Sequence, residues 1–301
     1  NIHENKWDNE LLEIFKIPPT ILPQVKDNIF EFGTTSKNII DESIPIHAMI
    51  GDQQSAAVGQ NCIKSGDIKA TFGTGCFILL NTGDKPLISK NKLLSTIAYK
   101  INNNTCYALE GSIFVSGASM KWLKDELGII HNVKDSQSIA ASIKDTNGVY
   151  FVPAFTGLGA PHWRPDARGT IVGLTGSSGK AEIVRAALEA VAYQSVDLFN
   201  AMASDGQKPN IVRVDGAMST NDWLMQFLSS ISKIKIEKSY NAEITSQGAA
   251  ILASIGAGLL SSIEESEKFW KLNKNFSPKM KTKEIKNYRN GWDKAIKRTI
   301  M

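Results

Sequence analysis

DIKATFGTGCFILLNT, residues 67–82, reads as two short strands around a glycine turn. In Gly73-Thr74-Gly75, with Thr71 just before, glycines alternate with hydroxyls. Glycines let successive amides curve into a concave nest that fits phosphate oxygens, and threonine hydroxyls add uncharged donors. A plain hairpin turn explains the glycines equally well, though not the hydroxyls beside them. STIAYKI (95–101) and TCYALEGSIF (105–114) continue the short β pattern, with NTGDKP and KINNNT as turn segments, so a meander of antiparallel strands is expected.

Upstream, WDNELLEIF (7–15) has helical spacing, and the three prolines of IPPTILPQV (17–25) break it. IPIHAMI (44–50) reads as a strand, and the residues after Gly51 become helix-compatible. Gly51 to Gln54 thus stand at a strand-to-helix junction, where function concentrates in α/β proteins. Downstream come helices at 117–127 and 136–143, strand VYFVPAF (149–155), loop TGLGAPHWRPDARG (156–169) and strand TIVGLT (170–175). A long helix at 181–203, strand IVRVDG (211–216), a helix at 221–231, strand IKIEK (234–238) and a helix at 245–256 follow. This order predicts an α/β fold with a mixed sheet flanked by helices. The composition shift between Gly51 and Asp67 sets the expected domain boundary, giving units 1–60 and 61–301.

Composition narrows the function classes. A hydrophobic fraction of 42% with 21% charged residues is that of a soluble enzyme, and no apolar run approaches the roughly 20 residues of a membrane helix. The net charge of +4 comes mainly from lysines at 85–92 and 268–298. The second stretch mixes acids and aromatics into the basic run, which predicts a closing amphipathic helix and not a nucleic-acid surface. Cys62, Cys76 and Cys106 are odd in number and lack CxxC spacing, which supports neither a disulfide framework nor a metal site, so the expected compartment is the cytoplasm. The start at Asn1 suggests a chain entered midway.

Four further segments carry chemistry. Asp52 in Gly51-Asp52-Gln53-Gln54 is either the N-cap of the next helix or a carboxylate placed to accept a proton. Val212 to Ala217 is an apolar strand ending in Asp-Gly before a helix start at Asn221, a common way to present amides to anions. Thr245 to Ala250 supplies small residues where a helix packs closely, and the 156–163 loop holds Trp163 on a rigid turn.

Taken in order, GDQQ (51–54), FGTGCF (72–77), EGSIFVSGASMKWL (110–123), FTGLGAPHWRPDARG (155–169), VDGAMSTNDWLMQF (214–227) and TSQGAAILA (245–253) resemble the FGGY carbohydrate kinases, and the glycerol-phosphorylating members in particular. The resemblance covers nearly the whole chain. It implies an actin-like, ribonuclease-H-like ATPase fold of two related domains closing over ATP and substrate, with residues 1–60 similar to the end of the first domain and 61–301 similar to the second. By the same resemblance Asp52 matches the catalytic base that deprotonates glycerol as it attacks the γ-phosphate of Mg-ATP, and Gln53 matches a glycerol-binding residue. Thr74, Gly75, Gly117, Lys121, Gly216, Ala217 and Asn221 match nucleotide-binding positions. Mg2+ is expected to be held through the nucleotide phosphates, with no metal ligands in the chain itself.

Three departures from the family pattern stand out. Ala217 replaces a second glycine, which would cost about 1 kcal/mol if that position needed φ > 0. Lys121 stands where some members have glutamine. Residues 36–46 lack the family's fructose-1,6-bisphosphate loop, so that feedback is not expected. The resemblance also implies that the phosphate loop and the Arg-Glu and tyrosine contacts to glycerol belong to a preceding domain absent here, so the chain alone is expected to be inactive. The expected partners are therefore that domain, glycerol and ATP/ADP, with homo-oligomers frequent in the family. An FGGY kinase for another polyol or sugar, or a non-catalytic nucleotide-binding module, remain the alternatives.

Overall fold

The computed structural model describes residues 1–206 and 208–301. In chain order its elements are α1 (Asn9–Ile14), α2 (Asp52–Gly59), β1 (Ile68–Phe72), β2 (Cys76–Gly83), β3 (Leu94–Ile101), β4 (Asn104–Ile113), α3 (Gly117–Asp125), α4 (Asp135–Ala141), β5 (Tyr150–Val152), β6 (Thr170–Val172), α5 (Lys180–Ser204), β7 (Ile211–Asp215), α6 (Asp222–Ser232), β8 (Lys235–Ser239), α7 (Ile244–Gly256), β9 (Leu272–Phe276) and α8 (Thr282–Thr299). A 3-10 turn, Ala217–Thr220, joins β7 to α6.

Seven strands form one mixed sheet in the order β3-β4-β2-β1-β7-β8-β9. β1, β7 and β8 run parallel to one another, and the other pairings are antiparallel. The expected mixed sheet is therefore present, but its first four strands are not a simple meander. β2 pairs with β4, and β3 lies beyond β4 at the sheet edge. The segment between β2 and β3, residues 84–93, is long enough to carry the chain across. β5 and β6 pair with each other in a separate two-stranded sheet.

Alternation along the central strands divides the side chains between two helical layers. Ile68, Ala70, Phe72, Ile78 and Leu80 enter the main core, to which α5 contributes Val184, Leu188, Val191 and Phe199. Leu79 and Ala108 face the other way and pack with Ala57 of α2 and Cys62. On that side α2 and α7 cross at backbone contact: a Cβ at Gly248 would lie 2.7 Å from the carbonyl carbon of Ser55, and Ser55 Oγ donates to the Thr245 carbonyl at 2.6 Å. The small residues of 245–250 are thus what lets α7 approach the helix that begins with Asp52.

Two expected elements differ. IPIHAMI is not a strand: it makes only isolated bridges, Thr34 with Pro45 and Ile29 with Ala48, and Ile44, Ile46 and Met49 are exposed. Pro45 lacks the N–H that a ladder requires. The basic 268–298 stretch is not one helix either. It contains β9, which pairs antiparallel with β8 at the sheet edge, before α8 begins at Thr282.

Candidate functional site

Three segments meet at the ends of β1 and β7, and each meets the next through a glycine. The turn between β1 and β2 is closed internally by Gly73 N–H donating to the Gly75 carbonyl at 2.9 Å. The start of α3 folds back onto this turn. Ser116 N–H and Ala118 N–H donate to the Thr74 carbonyl at 2.9 and 3.0 Å, and Gly117 N–H to the Gly73 carbonyl at 3.0 Å. A side chain at Gly117 would not fit, because its Cβ would stand 2.7 Å from the Gly73 carbonyl oxygen. On the other side Gly216, with φ 86°, lies against Phe72, where a Cβ would come within 2.5 Å of the carbonyl oxygen. Next to this junction, Ser116 Oγ is a buried hydroxyl without a hydrogen-bond partner among the described residues.

A cleft of about 580 Å³ opens over this junction, lined by Gly73, Thr74, Gly117, Lys121, Ala217 and Met218 among others. A second hollow of about 630 Å³, lined by Ser136, Gln137, Ala217, Thr220 and Asn221, flanks the same 3-10 turn. The structure therefore brings Thr74, Gly117, Lys121 and Ala217 together, and Asn221 joins them across Ala217. Gly75 and Gly216 shape the backbone behind the cleft: a Cβ at Gly75 would stand 2.6 Å from the Ile113 carbonyl oxygen. Asn221 is already engaged, capping α6 through Oδ1 to Leu224 N–H at 3.0 Å. The strain expected at Ala217 is absent: the left-handed residue is Gly216, and Ala217 opens the 3-10 turn.

Asp52 and Gln53 sit at the start of α2, apart from the residues lining that cleft. The N-cap of α2 is Gly51, so Asp52 is the first helical residue and is exposed. Its Oδ1 accepts from Gln53 N–H at 2.8 Å and its Oδ2 from Gln53 Nε2 at 3.1 Å. A hydrogen-bonded path leads from this pair to Thr71, two residues before the glycine turn. Gln53 Oε1 accepts from Lys69 Nζ, and Lys69 Nζ also donates to Thr71 Oγ1 at 3.0 Å. Thr71 pairs with Asp215 across β1 and β7, and Gln60 Nε2 donates to Asp215 Oδ2 at 2.9 Å.

Lys69 was not among the residues expected here. It is fully buried; desolvation holds its ammonium below the usual lysine range, against the pull of Asp215 and other nearby groups including Glu110. Burial pushes the Glu110 carboxyl up, with Lys69 opposing that shift and Asp52 adding to it. The sequence held one signal for Lys69, a lone cation within the strand IKATF.

The cleft offers the Thr74 hydroxyl and one cation, Lys121, beside the acids Asp125 and Glu126, and the start of α2 offers one carboxylate bonded to an amide, groups that can serve a phosphate-bearing ligand and a hydroxyl-bearing acceptor. No group of three or more His, Cys, Asp or Glu that could hold a metal occurs among the described residues.

Comparisons with known proteins point the same way. Residues 68–257 match the C-terminal domain of the FGGY family of carbohydrate kinases. The chain is 52% identical over 300 residues to a glycerol kinase of Coxiella burnetii, covering 100% of this chain and 60% of that protein. It is 50% identical over 301 residues to a glycerol kinase of Gluconobacter oxydans, covering 59% of it. The crystal structure of Plasmodium falciparum glycerol kinase with ADP superposes with a TM-score of 0.92 at 39% identity, covering 100% of this chain and 61% of that one. A gluconate kinase from Lactobacillus acidophilus shares the fold at a TM-score of 0.84 and 24% identity. The chain spans about three-fifths of the length of the curated relatives it matches. With its sheet order, glycine junction and 190-residue span of family sequence, residues 68 to 257, the chain belongs to the FGGY family of carbohydrate kinases and has their actin-like ATPase fold.

Proposed function

We propose that this chain supplies the nucleotide-binding wall and the catalytic base of a kinase that transfers the γ-phosphoryl group of ATP to glycerol, giving sn-glycerol 3-phosphate and ADP. The observation that carries this reading is the hydrogen-bonded path Asp52–Gln53–Lys69–Thr71, which ends two residues before the Gly73-Thr74-Gly75 turn. The carboxylate and the strand that leads into the glycine turn are thereby linked by one set of contacts, which supports a shared frame for acceptor and phosphate. The similarity to glycerol kinases at about half identity supports glycerol over other polyols.

In this reading Gln53 holds a glycerol hydroxyl beside Asp52. As the terminal oxygen attacks the γ-phosphorus, Asp52 takes its proton, the new O–P bond forms, and the bond from the γ-phosphorus to the bridging oxygen breaks with ADP leaving. Thr74 and the turn amides face the phosphates, Lys121 adds positive charge, and Gly117, Gly216, Ala217 and Asn221 shape the space for ribose and base. Mg2+, held through the nucleotide phosphates, would supply charge neutralisation there. We further propose a division near residue 60, with residues 1–60 belonging to a preceding domain that completes the glycerol wall. A cytoplasmic setting suits the three buried free thiols.

The test is glycerol-dependent ADP formation by a complete kinase that carries this chain. Asp52→Asn is expected to lower kcat by at least about 1000-fold while ADP affinity stays within about threefold. A large loss of nucleotide affinity with normal turnover would make Asp52 a binding residue instead.

A further inference from the structure

Lys69 is the second residue of β1, and none of its surface reaches solvent. Its neighbours Ile68, Ala70 and Phe72 point into the main core, so Lys69 and Thr71 project from the opposite face of the sheet, the side that packs with α2. A buried ammonium costs several kcal/mol unless it is paired and hydrogen-bonded, so a lysine kept in this place has to be held by specific partners. Those partners are Gln53 Oε1 and Thr71 Oγ1, with the carboxylates of Asp215 and Glu110 acting on its charge.

The chemistry of the pair dictates an orientation. A lysine has three donors and no acceptor, whereas a glutamine amide has an oxygen at one end and an N–H2 at the other. The end of the Gln53 amide that faces Lys69 must therefore be the oxygen. Its nitrogen is then turned to Asp52, where it donates to Oδ2 at 3.1 Å while the Gln53 backbone N–H holds Oδ1 at 2.8 Å. With the amide flipped, two oxygens would face each other across that contact. Neither Asp52 nor Gln53 has another fixed side-chain partner among the described residues, so the set of the carboxylate depends on this amide.

We propose that Lys69 is a positioning residue for phosphoryl transfer: its buried ammonium fixes which way the Gln53 amide points, and through that amide fixes the Asp52 carboxylate against the acceptor hydroxyl. The inference rests on the reading of Asp52 and Gln53 given above. It adds a residue that touches neither glycerol nor the nucleotide, and it gives the link to Thr71 a purpose. One cation ties the acceptor pair to the strand end that leads into the phosphate turn, so the two substrates are referred to the same strand.

The experiment is a double-mutant cycle in a complete kinase carrying this chain. Lys69→Met removes the donors at similar volume, and Lys69→Gln keeps one N–H2 end. Lys69→Met is expected to lower kcat/KM for glycerol about 100-fold, with KM for ATP within about twofold, and Lys69→Gln is expected to recover roughly tenfold of that loss. Because Lys69 acts through Gln53, Lys69→Met combined with Gln53→Ala is expected to be no worse than Gln53→Ala alone. Additive losses, equal effects on both substrates, or unchanged glycerol kinetics in Lys69→Met would each overturn the proposal. Where Lys69→Met does not fold, as judged by its thermal transition, the cycle is run with Lys69→Gln and the same non-additivity decides. Asp52→Asn with undiminished turnover would remove the underlying reading of the base, an outcome separate from any result at Lys69.

Discussion

Gly216 and Ala217 are adjacent at the end of β7, and the backbone separates their roles. Gly216 takes φ 86° against the Phe72 carbonyl, a place where a methyl group is both strained and blocked. Gly216→Ala is therefore expected to destabilise the chain by about 2–4 kcal/mol and to weaken ADP binding at least about tenfold, read by thermal melts and calorimetric titration. Ala217 carries no such strain, so Ala217→Gly should leave ADP affinity within about threefold and cost roughly 1 kcal/mol of stability through added chain freedom. A large tightening by Ala217→Gly would show that the methyl itself obstructs the nucleotide. The glycines at 73, 75 and 216 were legible from the FGTG turn and the Asp-Gly end of the VDGA strand, and Gly117 only through the family resemblance. Which of Gly216 and Ala217 bore the positive φ was not, since a dihedral is set by the strand on the far side, here Phe72. Lys69 escaped notice for a related reason: a lysine in a strand normally reaches solvent, and only the packing of α2 over β1 turns this one inward.

At the scale of elements, what the sequence made plain were those with strong periodicity or flanking turns. The helix expected at 181–203 is α5, Lys180–Ser204, and the strands at 68–72 and 211–215 fall within their expected segments. β9 was missed because Leu272–Phe276 is an edge strand with one buried residue, Phe276, and so shows no alternation against the lysines around it. How α8 docks was equally hidden, because its polar anchor is an acid far off in sequence, in α5. Asp197 accepts from Arg289 Nη2 and from Trp292 Nε1 at 2.9 Å, both on α8, with His162 Nε2 of the 156–163 loop at 3.4 Å. Burial alone would raise its carboxyl, but these three partners outweigh burial and hold it below the usual aspartate range. The unfolded chain then binds the extra proton, so this contribution to stability is complete above the unfolded value near 3.9 and is lost as pH falls through the lower folded value. Asp197→Asn is expected to cost about 3 kcal/mol at neutral pH and to flatten the acid side of the stability curve, measured by urea melts from pH 7 down to 3. An unchanged acid limb in the variant would mean that the carboxylate of Asp197 does not carry the docking of α8. A second test belongs to the crossing of α2 and α7: Gly248→Ala forces the helices apart and should displace Asp52, lowering both the thermal transition and kcat in the complete enzyme.

At the scale of the whole molecule, burial is uneven along the chain. Among residues 1–50 only Leu12 is buried, while Ile14, Phe15, Ile21, Ile39 and Met49 are each more than half exposed, from 61% to 84%. From Ser55 onward the chain builds its own core. Exposed apolar residues on a segment that buries so little of itself are the kind of surface that other polypeptide can cover. About two-fifths of each relative's length lies outside the part this chain covers, which is enough for the second wall of a cleft. Phosphoryl transfer depends on both walls, because misplacing the acceptor by about 1 Å costs on the order of 100-fold in rate. The proposed nucleotide wall has no such dependence, since the 73–75 turn, α3 and the 217–220 turn are braced by contacts within this chain. The 301-residue chain by itself is accordingly expected to bind ADP in a titration and to form no ADP from ATP in the presence of glycerol. Adding the remaining part of the kinase as a separate polypeptide should restore glycerol-dependent turnover and quench dye binding to the exposed 14–49 surface in the same titration. Turnover by the chain alone would mean that it already holds both walls, and the division near residue 60 would have to be abandoned; restored turnover without any change at that surface would place the second wall elsewhere on the molecule.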